Sequence, residues 1–96
     1  MPGKDLILLL NNEIDGSFTE GMLMEEILAK LRNHIDELIQ RDFQKLVAIL
    51  YKVDVNEGKL KKMLKEQPGR DAAEIIAKLI LEREIQKTQT RKKFKN

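Results

Sequence analysis

Apolar residues recur at intervals of three and four along most of the chain, the spacing of one buried helix face. Leu6, Ile7, Leu10 and Ile14 fit a first helix, which Gly16 would close from the left-handed region. A strand turning at Asp15-Gly16 competes with it, but Leu favours helix and no β-branched run supports a strand. A second helix is expected from about Phe18, where Ser17-Phe18-Thr19-Glu20 has the form of a capping box. Met24, Ile27, Leu28, Leu31, Ile35, Leu38 and Ile39 make its apolar stripe, and Glu26/Lys30, Arg32/Asp36 and Glu37/Arg41 pair opposite charges four apart. Asp42 is a poor mid-helix residue and a good N-cap, so a break is placed there. The third helix, Phe43 to Lys52, is apolar almost all round at Leu46-Val47-Ala48-Ile49-Leu50 and is predicted to be central and buried.

Asp54-Val55-Asn56-Glu57 reads as the next capping box, opening a helix to about Glu66 with Leu60, Met63 and Leu64 inward; Pro68-Gly69 ends it. Asp71-Ala72-Ala73-Glu74 opens the last helix, with Ile75, Ile76, Leu79, Ile80 and Leu81 buried. Beyond Ile85 the one large apolar residue is Phe94, so this helix must project, fray or lie against a partner. The expected architecture is all-α: a compact bundle of four to five helices with short connections. One helical domain spans residues 1–86, and residues 87–96 form a basic C-terminal tail or helix extension.

Composition agrees with that picture. At 96 residues, 42% hydrophobic and 35% charged, the chain is sized for one folded domain. Without a cysteine it has no disulfide and no thiolate chemistry. No apolar run approaches the roughly 18 residues of a membrane span, and no cleavable leader is read after Lys4-Asp5, so the expected location is cytoplasmic. A chain this small without staples invites self-association.

Candidate chemistry is sparse. The single histidine, His34, has Lys30 and Leu38 one turn away and no nucleophile at helical reach. Glu25-Glu26 and Asp36-Glu37 point about 100° apart on a helix and cannot share a proton. A di-iron bundle needs Glu three before His, and here that residue is Leu31. Asn11 to Phe18 imitates the start of a calcium loop, but its twelfth position is Met22 instead of a bidentate Glu. The residues therefore point to no enzyme, no metal and no cofactor.

Charge is distributed unevenly. Residues 1–57 carry six Lys/Arg against eleven Asp/Glu, a net −5; residues 58–96 carry twelve against five, a net +7. Helices of the two halves packed side by side would cancel much of this. The alternative is a basic half that faces an acidic partner. The cations in question are Arg83, Lys87, Arg91, Lys92, Lys93 and Lys95, with Arg83, Lys87, Arg91 and Lys95 stepping by four. A nucleic-acid role for them is weakened by the shortage of aromatic stacking platforms, Phe94 being the lone aromatic nearby, and by the lack of a base-reading helix. A membrane anchor is disfavoured because the apolar face fades where the charge rises.

Ile35-Asp36-Glu37-Leu38-Ile39, Asp42-Phe43 with Leu46-Val47 and Leu50-Tyr51, Asp54-Val55, Ala73-Glu74-Ile75-Ile76-Ala77, and Glu82-Arg83 with Gln86-Lys87 together give a further lead. Through them the stretch from Leu28 to Phe94 resembles a family of small uncharacterised bacterial all-helical proteins. That family has no established activity, so the resemblance transfers no site; it implies a bacterial, intracellular, helical protein. The function expected from the whole reading is non-enzymatic and exercised through protein–protein contact, a homodimer included. The alternative is a nucleic-acid accessory protein that binds phosphate non-specifically through the basic C-terminal helix.

Overall fold

The structure, a computed structural model, describes residues 3–14, 17–66 and 71–94, the last four by backbone alone. Five helices account for most of them: α1 (Lys4–Glu13), α2 (Met24–Arg41), α3 (Phe43–Val53), α4 (Glu57–Glu66) and α5 (Ala72–Phe94). Among the described residues there is no strand. The expected all-α bundle is what the chain forms.

The helix that organises the bundle is α5. Ala73, Ile75, Ile76, Ala77, Leu79, Ile80 and Leu81 are all buried, so the first turns of α5 are covered on all but the narrow side that carries Glu74 and Lys78. The other four helices all pack against it. This corrects the expectation that α3 would be central. On α3 only Leu46, Ile49 and Val53 are buried, while Phe43 is 60% and Tyr51 80% exposed. A run of consecutive apolar residues does not say which of its sides is covered, and α3 ends up at the periphery with one apolar side open.

Two helix starts also differ from expectation. α2 begins at Met24, not Phe18, and its capping carboxylate is Glu26, which accepts the Leu23 N–H at 2.8 Å. The segment before it is held as a loop by Asn11. Asn11 Nδ2 donates to the Phe18 carbonyl at 3.0 Å, and the Phe18 N–H donates to Asn11 Oδ1 at 2.9 Å. Both backbone groups of Phe18 are thereby taken by a side chain, and its ring is buried in the core. At the other site, Asp54 closes α3 in the left-handed region (φ 67°) and does not open α4. Asn56 takes that role, its Oδ1 accepting the Lys59 N–H at 2.9 Å.

The breaks at Asp42 and Asp71 fall where the sequence places them. Asp42 Oδ1 accepts the Lys45 N–H at 3.2 Å, and Asp71 Oδ1 accepts the Ala73 N–H at 3.0 Å. Asp71 is held in turn by the guanidinium of Arg32, whose Nε, at 2.7 Å, and Nη2 both donate to Asp71 Oδ2. This hydrogen-bonded pairing keeps the Asp71 carboxyl below the ordinary carboxylate range. Gly16 and Pro68-Gly69, expected as helix stops, lie outside the described residues. The cross-half ion pairs Arg32–Asp71, Arg83–Asp54 and Lys87–Glu13 show the acidic and basic halves lying against each other.

Ile80, fully buried on α5, is the stringent test of this centre. Ile80→Ala is expected to destabilise by about 2–5 kcal/mol in urea unfolding. Asp42→Ala, which removes one cap, is expected to cost about 1 kcal/mol.

Candidate functional site

The open side of α3 and the helix that follows it form an apolar concavity among the described residues. α3 and α4 diverge from the Asp54–Asn56 turn without packing on one another; α3 rests on α1, α2 and α5, whereas α4 rests on α5 alone. The reason lies in where each helix keeps its apolar groups. The stripe Phe43, Val47, Leu50 and Tyr51 runs about a third of a turn around from the core-facing Leu46, Ile49 and Val53. α4 has no fully buried residue, and Leu60, Met63 and Leu64 are half-buried. Its inward side is spent on α5, to which Lys59 also ties it through Glu82 at 3.0 Å.

Between the two helices lies a groove of about 390 Å³ lined by Val47, Leu50, Tyr51, Val55, Leu60 and Leu64, with Asp54, Glu57 and Lys61 at its rim. Leu50, Val55 and Leu60 connect its floor to the core. The turn at its closed end is braced from α5: Arg83 Nε donates to the Asp54 carbonyl at 3.1 Å and Nη2 to Asp54 Oδ2 at 3.3 Å. This fixes a non-glycine residue in the left-handed region, which Asp tolerates better than most.

The basic residues singled out from the sequence divide into two groups. Arg83 faces Asp54, as above. Lys87 is 20% exposed and donates to both Glu13 carboxylate oxygens at 2.8 and 2.9 Å and to the Lys52 carbonyl at 3.5 Å. Arg91, Lys92 and Lys93 continue along the backbone of α5. Their side chains, and Lys95 entirely, lie outside the described residues. The structure thus turns the two inner cations toward carboxylates of this same chain.

Beneath Lys87 is a group that sequence reasoning passed over. Glu84 is completely buried, and as a carboxylate neither of its oxygens has a hydrogen-bond partner among the described residues. Burial pushes its carboxyl up to about 7, and the charge on Glu13 adds to the rise while Lys87, 3.8 Å away, opposes it. A signal for this was present, because Ala77, Ile80 and Glu84 step by three and four along one face. His34 is half-buried with Nε2 unpartnered among the described residues. No group of three metal-capable side chains occurs among the described residues, and Asn11, first in the calcium-like pattern, is occupied with Phe18. Asp15 and Gly16 of that pattern are not among the described residues.

Compared with known proteins, the chain matches no family model, no curated protein and no solved structure. The groove and the buried acid are therefore read on their own geometry.

Glu84 gives a pH prediction. Its folded-state carboxyl near 7 lies above the ordinary value of 4.5. Its contribution to stability is thus fully present below pH 4.5 and is lost as pH rises through 7. The loss amounts to about 3 kcal/mol. Glu84→Gln should be more stable than the parent at pH 8 and close to it at pH 5. Urea unfolding across this range checks the claim; parallel profiles would contradict it.

Proposed function

We propose that this chain works without catalysis, by protein–protein contact through the α3–α4 groove, self-association included. The observation that carries the reading is the pairing of an apolar groove with exposed aromatics on the helix that forms its wall. The chain has four aromatic residues, and two of them, Phe43 and Tyr51, stand exposed on α3. Exposed aromatic side chains cost solubility and are the residue types that dominate binding energy when covered. An open groove between two helices is the shape that receives an apolar side chain or an amphipathic helix. A cytoplasmic location belongs to the same proposal and is checked by fractionating the producing cell.

The alternative is phosphate binding through Arg83, Lys87, Arg91, Lys92, Lys93 and Lys95. Two of these six already face Asp54 and Glu13, which leaves fewer cations to release counterions from a nucleic acid.

A photo-crosslinking residue placed at position 51 in the producing cell should give a discrete adduct. The same residue at position 29, on the exposed side of α2, should give none. Equal yields at both positions, or no adduct at 51, would refute the contact reading. For the alternative, titration of labelled DNA and RNA at two salt concentrations is expected to show no tight binding. Binding that is steeply salt-dependent, and abolished when Arg91, Lys92 and Lys93 are all changed to Ala, would establish it instead.

A further inference from the structure

We infer that the occupant of the groove is Phe43 of a second copy of this chain, the two α3 helices lying antiparallel about a twofold axis that passes by Val47. The inference rests on the contact reading above and gives it a specific partner.

Three features of α3 support it. The first is self-complementarity. Phe43 lies four residues before Val47 and Tyr51 four after it, all on the open stripe. Antiparallel pairing centred on Val47 sets Phe43 of each copy beside Tyr51 of the other, as a twofold interface requires. Tyr51, Leu50 and Leu60 line the groove. The Phe43 ring of one copy is thereby carried to the groove of its partner, and the exchange happens twice.

The second feature is charge. Asp54 and Glu57 stand at the Tyr51 end of the groove, both carboxylates exposed although each is paired within its own chain, Asp54 to Arg83 and Glu57 to Lys61. At the Phe43 end, Arg41 and Lys45 flank the single acid Asp42, are exposed and form no ion pair among the described residues. Antiparallel pairing brings the basic end of each copy to the acidic end of the other, and opposes the two helix dipoles. A parallel pairing would instead set the unpaired Arg41 and Lys45 of the two copies together.

The third is area. A stable interface buries about 1,200 Å² or more in total. Two Phe43 and two Tyr51 side chains, now 60% and 80% exposed, would contribute on the order of 500 Å². Val47, Leu50, Leu60 and Leu64 are already mostly covered and add a smaller share from both copies, so the exposed polar residues around the groove, Gln44, Asp54, Glu57 and Lys61 among them, supply the remainder.

The test is direct because the parent chain has no cysteine. Light scattering over a concentration series should show the mass doubling from 11.2 kDa. Under mild oxidation the Val47→Cys variant should form a disulfide-linked dimer, which requires Cα atoms within about 7 Å. An Ala29→Cys variant should not. Phe43→Ala should raise the dimer dissociation constant at least tenfold while leaving the helical circular dichroism unchanged. A dimer that does not cross-link through position 47 would overturn this geometry. A constant 11.2 kDa mass alongside a position-51 adduct to a different protein in the cell would overturn the second copy as occupant and leave the contact reading standing. A constant mass with no adduct at 51 would remove both.

Discussion

The rest of the bundle is arranged around the burial of the first half of α5. From Ala73 to Leu81 that helix is apolar around most of its circumference, with only the Glu74–Lys78 ion pair facing water, and no single neighbour can cover such a rod. The other four helices therefore all lie against it, in a molecule 41 Å long and 25 by 23 Å across. Packing four helices around one leaves each of the four with only part of its circumference covered. For α1 and α2 that part covers the large apolar residues, all but Leu8 and Met24. For α3 and α4, whose apolar residues extend beyond the side that meets the core, it is not enough, and the surplus becomes the walls of a groove.

The uneven charge of the two halves follows from the same arrangement. α5 is basic toward its end, and the surfaces it meets there are acidic. Lys87 enters between Glu13 and Glu84, and Arg83 closes on Asp54. A fully buried Glu84 needs either a proton or a full counter-charge, and Lys87 is already bonded to Glu13. The group therefore couples the attachment of α1 on α5 to pH. Arg83 acts differently. It holds the left-handed turn at Asp54, from which α3 and α4 diverge, and so ties the basic helix to the shape of the groove.

The apolar surface on which the proposed contact rests is continuous across α3 and α4. The exposed aromatics of α3, the half-covered leucines of α4 and the charges at the groove ends occupy one side of the molecule. The proposed second copy would cover that surface with no additional gene product, because the stripe on α3 is its own complement when reversed. For a chain of this size, such pairing also adds apolar burial that the monomer cannot supply alone.

The residues by themselves determined the helices and most of their limits. Stepping by three and four fixed α1, α2 and the buried face of α5, and local hydrogen-bonding chemistry fixed the caps at Asp42 and Asp71. These are properties of neighbouring residues, and neighbours are visible in sequence. What the tertiary structure decided was everything that depends on a distant partner. Asn11 reached across to Phe18 and unmade a plausible first turn of α2. The capping role passed from Asp54 to Asn56 where Arg83 holds Asp54. Lys87 was turned from a solvated cation into an internal one. The openness of α3 was likewise invisible, because periodicity shows which residues avoid water and not how many neighbours are available to shield them.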